Sequence, residues 1–377
     1  MSAPQESREQ HPQPGTVTSD RSAGDAGAQT NHGQSARRRW SVRDVAALAG
    51  VSTGTVSNVM NRPHLVAHAT TVRVNRAIKD LGFVRNASAR QLRAGDSRAV
   101  GAIVQDLSNA FFSEIARGIE DRLADDGLVL LLCSSHNSVE TELRQLQVLE
   151  EQRVLGLLIT PLSRDMAKIE ALHSRGTRVV LLDREATPGR LCSVAVDDVR
   201  GGELAVAHLV SQGYDRVGFI NGPRTIRQHA ERRRGALQAI HNAGLDPKNT
   251  LIEVTIPSPL TVYGKQGVEM LAKVKFGLPP AIFCVNDQVA LGVLIALRER
   301  GLSVPNDVAV VGYDDVEFAP GLSTPLTSVR QPMYQLGHTA TSLLLGETDD
   351  PHHHHERIRF TPELVVRASS QCAGPAR

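Results

Sequence analysis

Two patterns of apolar and polar residues divide the chain near residue 98. Between residues 40 and 85, apolar side chains recur three and four positions apart, which is the spacing of short amphipathic helices. After residue 98, short uninterrupted apolar runs alternate with stretches of helical spacing. Such alternation is typical of parallel sheets covered by helices. The chain is therefore predicted to contain a small helical unit followed by an α/β body.

The helical unit begins with two short helices joined by a tight turn. Ser41 and Asp44 have the spacing of a capping box, so a helix is expected to follow Ser41. Gly50 ends that helix, and Ser52 can cap a second helix that runs to about Met60. Two helices joined in this way form a helix-turn-helix motif, whose second helix is shaped for the major groove of DNA.

A third helix is predicted from about Thr70 to Leu81, with Gly82 as its stop. The three helices make a bundle that is too small for anything but binding.

The body is expected to contain strands that are buried on both faces, because its apolar runs show no alternation. These runs are Val100–Val104, Leu128–Leu132, Leu155–Thr160, Val179–Leu182, Val217–Ile220, Ala281–Val285 and Val308–Val311. About 280 residues suffice for two lobes of this kind. Ligands of such folds bind outside the carboxyl ends of the strands.

Composition narrows the class of protein. The chain has 377 residues, of which 41% are apolar and 22% charged, so it is not disordered throughout. It contains neither an apolar run long enough for a membrane helix nor a signal-peptide pattern. The scattered cysteines Cys133, Cys192, Cys284 and Cys372 fit a reduced, cytoplasmic protein.

The charge is divided unevenly along the chain. The net charge is only +2, yet residues 37–95 contain eleven basic and two acidic residues. A basic segment of this kind joined to an acidic body suggests a unit that binds a polyanion. A solvated basic face with no binding role is the alternative, and charge alone does not decide between them.

Six motifs occur between residues 40 and 368. They are Asp44–Asn61 (DVAALAGVSTGTVSNVMN), Asn86–Leu92 (NASARQL), Val196–Gly202 (VDDVRGG), Val285–Gly292 (VNDQVALG), Val311–Asp315 (VGYDD) and Pro325–Pro332 (PLTSVRQP). Taken together and in this order, they resemble the motifs of the lactose/galactose repressor (LacI/GalR) family.

The resemblance implies an α/β fold in which a helix-turn-helix bundle and a hinge helix precede a two-lobed body with parallel sheets, similar to periplasmic sugar-binding proteins. The expected divisions are a disordered extension (1–38), the helix-turn-helix domain (39–85), the hinge helix and linker (86–97), the ligand-binding and dimerisation domain (98–368) and a tail (369–377).

The resemblance also implies which residues contact DNA. Base-reading positions of the family are occupied here by Thr53, Gly54 and Asn58, and Asn58 can pair with adenine through two hydrogen bonds. The side chains expected to donate to phosphates are those of Ser52, Thr55, Ser57 and Asn61. Helix capping and local backbone bonding are the alternative roles of the serine and threonine residues.

Residues 86–93 resemble the hinge helix of the family, which orders on operator DNA. Ala89 and Leu92 belong to this implied DNA contact, and Leu92 with its dimer mate would wedge into a minor-groove step. Packing of Leu92 on its own domain is the alternative. Family members usually have Tyr at the position of Phe83 and Pro at the position of Arg85.

The resemblance places a polar ligand site between the lobes. The residues implied are Asn109, Phe111, Phe112, Arg184, Arg232, Asn286 and Asp314. Their Asp, Asn and Arg side chains suit the hydroxyl groups of a polyol, and the two aromatic rings suit the face of a sugar. Phe112 is open to a second interpretation as a core residue. The run Arg232–Arg234 leaves uncertain by one position which arginine points inward.

No pattern of catalytic residues is evident, so an enzyme is not expected. Asp197 and Asp198 lie in a family loop motif and are not assigned acid–base chemistry. Four adjacent histidines, His352–His355, cannot all face one ion, so a surface loop is expected there and no metal site or cofactor. His208 occupies the position of a structural histidine in the family.

The function that the sequence predicts is a homodimeric transcriptional repressor, released from a near-palindromic DNA operator by a small carbohydrate. A regulator that needs a co-repressor or a protein partner is the first alternative. A carbohydrate-binding protein without DNA function is the second. No membrane partner is expected, and residues 369–377 lack the heptads of a tetramerising tail.

Overall fold

The computed structural model describes the residues 40–83, 97–163, 165–347 and 353–371. The chain divides into two compact units, residues 1–86 and residues 87–377. The expected extension over residues 1–38 lies outside the described residues, as does all but the last residue of the expected hinge and linker.

Over residues 40–83 the first unit contains three α-helices, which are Val42–Ala49 (α1), Thr53–Asn61 (α2) and His68–Leu81 (α3), with a 3-10 turn at Pro63–Leu65 between the last two. The capping box is present at the start of α1, where the Ser41 amide donates to the Asp44 carboxylate at 2.8 Å. Gly50 ends α1 with a φ of 63°, a left-handed conformation that glycine adopts without strain. The predicted helix-turn-helix is confirmed.

Each helix of this unit contributes to one small apolar core. Val45, Val56 and Val74, one from each helix, are fully buried, and Phe83 packs against the same cluster. Helix α3 begins at His68, earlier than predicted. The start was missed because the residue before it, Ala67, has no side chain that can cap a helix, so the sequence contains no capping signal there.

The body contains two six-stranded sheets. Its strands are β1 (Ala99–Val104), β2 (Val129–Ser134), β3 (Gly156–Ile159), β4 (Arg178–Leu182), β5 (Cys192–Val196), β6 (Val217–Asn221), β7 (Leu251–Thr255), β8 (Ala281–Cys284), β9 (Ala309–Asp314), β10 (Thr327–Arg330), β11 (Arg357–Phe360) and β12 (Glu363–Val365). Lobe 1 has the strand order β11-β5-β4-β3-β1-β2, and lobe 2 has the order β12-β10-β9-β8-β6-β7. All pairings are parallel except that of β10 with β12.

Helices cover the two sheets. They are α4 (Ala110–Ala124), α5 (Val139–Glu151), α6 (Ala167–Ser174), α7 (Asp198–Ser211), α8 (Arg227–Asn242), α9 (Pro247–Thr250), α10 (Thr261–Ala272), α11 (Asp287–Glu299) and α12 (Met333–Gly346). The described chain crosses between the lobes after β5, after β10 and after β11. Consequently α12 and β11, which come late in the sequence, complete lobe 1.

The prediction that every strand of the body is buried on both faces is wrong for β2. Val129 is 56% exposed and Leu131 is 38% exposed, because β2 is the edge strand of lobe 1 and one of its faces meets solvent. Residues 369 and 370, which the sequence analysis assigns to the tail, are fully buried in lobe 2. The Ser369 hydroxyl donates to the Val310 carbonyl at 2.6 Å, which ties this segment to β9.

Helices α7 and α8 touch at their backbones. A Cβ atom on Gly202 would lie 2.0 Å from the carbonyl oxygen of Arg232, and one on Gly235 would lie 1.8 Å from that of Val199. Only glycine permits this approach at either position. The approach brings Arg232 of α8 beside Asp198 at the start of α7.

Candidate functional site

The exposed side of α2 has the residues expected to read bases. Thr53, Gly54 and Asn58 are exposed, whereas Val56 and Val59 on the other side are buried in the bundle. This is the arrangement that a helix needs in order to enter the major groove. Every basic residue of the described part of this unit is exposed, and these residues are Arg43, Arg62, Arg73, Arg76 and Lys79.

The residues expected to contact phosphates also bond to one another. The Ser52 hydroxyl caps α2 by accepting from the Thr55 amide at 3.0 Å, and the Asn61 side chain donates to the Ser57 hydroxyl at 3.2 Å. Helix capping and local hydrogen bonding, which are the alternative roles of these residues, are therefore present in the folded unit. Ala89 and Leu92 lie outside the described residues.

Six of the seven residues expected to bind ligand line one cavity between the lobes. They are Asn109, Phe111 and Phe112 of lobe 1 and Arg232, Asn286 and Asp314 of lobe 2. Arg184 instead lines a larger cavity of about 360 Å³, within the range typical of small-molecule sites. The two cavities share Gln105, Ile226 and Gln228, so they form one cleft.

Helix starts position two of the amide side chains in this cleft. Asn109 caps α4 by accepting from the Phe111 amide at 3.1 Å, and Asn286 caps α11 by accepting from the Val289 amide at 2.9 Å. Phe111 and Phe112 pack edge to face, with their centroids 5.0 Å apart, and both also belong to the core of lobe 1. Phe112 is therefore both a core residue of lobe 1 and a residue that lines the cleft.

Arg232 lies at the electrostatic centre of the cleft. Its Nε donates to Asp198 Oδ1 at 2.8 Å, its Nη1 donates to the Val285 carbonyl at 2.5 Å, and its Nη2 is 4.0 Å from Asp314 Oδ1. The guanidinium carbon is 3.6 Å from the centroid of the Tyr313 ring, a cation–π contact. Arg232 is therefore paired on every side, as a buried charge must be.

The structure also resolves the register of the three consecutive arginines. Arg232 is 5% exposed, whereas Arg233 turns to Glu253 at 2.7 Å and the Arg234 side chain is 60% exposed. Successive helical residues point about 100° apart, so Arg232 faces the smaller cavity, whereas Arg234 lies at the wall of the larger one.

Burial changes the ionisation of the acids near Arg232. Desolvation raises the pKa of Asp314 to about 7, although Arg232 and hydrogen bonds from Gln331 and Asn109 favour the ionised form. Desolvation, together with the charge of Asp198, raises the pKa of Asp183. Asp314 therefore titrates near neutral pH in the folded protein.

Direct hydrogen bonds join the lobes across the cleft. Gln228 Nε2 donates to Asp183 Oδ2 at 2.6 Å, and Gln288 Nε2 donates to the Ser108 carbonyl at 2.6 Å. A ligand in this part of the cleft has to compete with these contacts.

Two cleft residues that the sequence analysis missed have polar atoms without a partner. Among the described residues, Asp183 Oδ1 and Gln288 Oε1 are buried and make no hydrogen bond. Unsatisfied buried atoms are costly, and they commonly mark a position where a ligand or water binds. Asp183 directly follows the predicted strand and precedes Arg184, so its position just after a carboxyl end was the signal that could have found it.

The raised pKa of Asp314 predicts a pH-dependent stability. The folded chain holds this proton up to about pH 7, whereas the unfolded chain releases it near pH 4. Its contribution to stability is therefore fully present below about pH 4 and is lost as the pH rises through 7. Urea unfolding between pH 4 and 8 should show a weaker decline for Asp314→Asn than for the parent chain. Parallel curves for the two proteins would contradict the assignment.

An exposed recognition helix and a cleft between two α/β lobes are together the features of a DNA-binding regulator with a periplasmic-binding-protein-like body. Residues 41–86 match the family described as "Bacterial regulatory proteins, lacI family", and residues 206–370 match the "Periplasmic binding protein-like domain". The HTH-type transcriptional repressor PurR of Vibrio atlanticus is 32% identical over 332 residues, which cover 87% of this chain and 98% of that protein. The chain belongs to the LacI family.

Solved structures agree with this assignment. A LacI family transcriptional regulator from Enterococcus faecium with bound ribose is 28% identical, with a TM-score of 0.66, and the match covers 74% of this chain and all of that one. The lac repressor dimer bound to operator and the anti-inducer ONPF is 27% identical, with a TM-score of 0.71, over 89% of this chain and all of that one.

The predicted class is thereby confirmed: the chain is a DNA-binding transcriptional repressor of this family and not an enzyme. None of the described helices combines the length and the apolar character that crossing a membrane requires.

Proposed function

We propose that the chain acts as a homodimer on a near-palindromic operator and that a small carbohydrate, bound in the cleft, releases it from DNA. The observation that carries the effector class is the pair of buried, partnerless oxygens, Asp183 Oδ1 and Gln288 Oε1. A polyol presents several hydroxyl groups, each of which can donate to one such atom. Phe111 and Phe112 at the same cavity offer an apolar surface for the face of a sugar ring.

The mechanism follows from the contacts that close the cleft. The cavity that the six residues line has a volume of only about 50 Å³. A sugar must therefore also occupy the adjoining space and replace some of the direct hydrogen bonds between the lobes. The effector therefore favours a different arrangement of the lobes from the one in which Gln228 bonds to Asp183. Its differential affinity for the two arrangements sets how far DNA binding can be weakened.

Two observations on relatives support the remaining parts of the proposal. The ribose-bound regulator supports a sugar as the effector, and the operator-bound lac repressor supports a dimer as the DNA-binding form. One short recognition helix makes few base contacts, so two copies on a symmetric site are needed for specific binding.

The test is fluorescence anisotropy with purified full-length protein. The DNA is the segment upstream of the protein's own gene and, in parallel, the sequence enriched by this protein from a random pool. Each is titrated in moderate salt with and without pentoses, hexoses and disaccharides. We expect specific binding that one sugar weakens at least tenfold.

Other outcomes would change the mechanism. Specific binding that no sugar weakens, or that an added metabolite tightens, would overturn the inducer mechanism in favour of a co-repressor or protein partner. A stoichiometry of one chain per operator would contradict the homodimer.

Within this proposal, Asn58→Ala is expected to weaken operator binding by about 1–3 kcal/mol, because the variant loses a bidentate contact to a base. Non-specific binding and its salt dependence should be unchanged, since both depend on phosphate contacts. The matched control is Asn75→Ala, which alters an exposed asparagine of α3. Equal losses on operator and scrambled DNA would remove Asn58 from the base-reading set.

A further inference from the structure

A cysteine and two histidines converge at a place remote from the cleft. Cys192 Sγ is 3.4 Å from His353 Nε2 and 3.7 Å from His355 Nδ1. The three atoms all lie within 4.8 Å of one another. Cys192 is buried, and the two histidines are half-buried.

The topology of lobe 1 explains why the cysteine and the two histidines lie close together. Cys192 is the first residue of β5, and the segment that contains the histidines leads directly into β11, the parallel neighbour of β5. The Glu356 amide donates to Cys192 Sγ at 3.4 Å, and the Ser193 amide donates to the Glu356 carbonyl at 2.9 Å. These bonds hold the segment against the amino end of β5, whereas the cleft lies at the carboxyl ends of the strands.

Successive side chains of the segment point to opposite sides, so neighbouring histidines lie apart. His353 and His355 turn toward Cys192, while His354 between them is exposed. The expectation from sequence was a surface loop without a metal site, because four adjacent histidines cannot share an ion. The structure brings only two of them to one place and adds a thiol from a distant strand. His352 lies outside the described residues.

The two sulfur–nitrogen separations suit a tetrahedral ion. With zinc–sulfur and zinc–nitrogen bonds of about 2.3 and 2.05 Å, tetrahedral geometry places sulfur and nitrogen about 3.6 Å apart. The two observed separations, 3.4 and 3.7 Å, bracket this value. A thiolate with two imidazoles is also a donor set that zinc prefers over magnesium or calcium.

Further polar groups surround the cluster. The ring of His173, from the end of α6, packs edge to face against the His355 ring with centroids 5.4 Å apart. His173 Nδ1 is 3.6 Å from Glu347 Oε1, so a third imidazole and a carboxylate lie next to the cluster.

We propose that Cys192, His353 and His355 form a binding site for a divalent transition-metal ion of the zinc type, with water in the fourth position. The ion binds the Cys192 thiolate, and the thiol proton passes to the buffer. The site joins the segment before β11 to the first residue of β5, so a bound ion stabilises that edge of lobe 1.

The test is titration of the metal-free, full-length protein with Co²⁺, followed by displacement with Zn²⁺. We expect a thiolate-to-cobalt charge-transfer band that saturates at one ion per chain. Cys192→Ser should abolish the band, and His353→Ala or His355→Ala should weaken Zn²⁺ binding at least tenfold. The matched control, His354→Ala, should retain both the band and the affinity.

Thermal unfolding of each metal-free variant keeps the test interpretable, because the two histidine variants alter a half-buried segment and should fold even if Cys192→Ser does not. Absence of stoichiometric binding by the parent chain would overturn the proposal and leave a thiol–imidazole hydrogen-bonded cluster. Binding that survives Cys192→Ser but is lost in His354→Ala would also overturn it, since the histidine run alone would then be the ligand.

Discussion

Replacing Arg232 with methionine is expected to lower the free energy of unfolding by about 3–5 kcal/mol, because the change leaves buried carboxylates without their cation. Arg232 is 5% exposed, pairs with Asp198 at 2.8 Å and lies 4.0 Å from Asp314. Methionine has a similar length and fills much of the same space, so the loss reports charge rather than a cavity. Urea unfolding at pH 7.5, where Asp314 is largely ionised, measures the effect.

Two further variants make this prediction specific. Arg234→Met removes a neighbouring exposed arginine and should change stability by less than about 0.5 kcal/mol. Adding Asp198→Asn to Arg232→Met should recover part of the loss, because the buried charge that lacked a partner is then gone. A loss below 1 kcal/mol in Arg232→Met, or no recovery in the double variant, would contradict the central role of this ion pair.

Replacing Gly235 with alanine is expected to cost about 3 kcal/mol or more, although alanine is normally the better helix former. Its Cβ would lie 1.8 Å from the Val199 carbonyl oxygen, so α7 and α8 would have to move apart. Separation of these helices would also stretch the contact between Arg232 and Asp198. Effector binding should therefore weaken together with the free energy of unfolding.

The matched control for this substitution is Gly346→Ala at the end of α12. No atom lies within 4 Å of the position that a Cβ on Gly346 would take. Alanine there should leave stability unchanged or raise it slightly. Similar effects of the two substitutions would show that helix propensity, rather than the backbone approach, determines the result at Gly235.

The strands of the body could be predicted where they form uninterrupted apolar runs, and these include the edge strand β2. The runs that became β1, β3 and β4 are uninterrupted and buried, and the sequence located them within two residues. Strand β11 was not predicted because its residues alternate in exposure. Arg357 and Arg359 are exposed, whereas Ile358 and Phe360 are half-buried. An edge strand of four residues is too short for such alternation to stand out.

The resemblance names candidate site residues but does not give their geometry. It implies Asn109, Arg232 and Asp314, and the structure brings these three to one cavity. No pattern indicated that Arg184 would face the adjoining cavity, because it lies beyond the end of β4 and follows Asp183, whose φ of 53° breaks the alternation of the strand. Gln228 of the other lobe donates to one carboxylate oxygen of Asp183 and leaves the other without a partner. The local sequence around Asp183 does not encode the position of Gln228, so this feature could not be predicted.

The three crossings between the lobes affect how the protein is made. Lobe 1 is not complete until α12 and β11 have left the ribosome, because β11 pairs with β5 and α12 supplies part of the lobe 1 core. The helix-turn-helix unit has its own core within residues 42–83. Since units fold as they emerge, a nascent chain has a folded helix-turn-helix bundle well before it has a complete lobe 1 and a closed cleft.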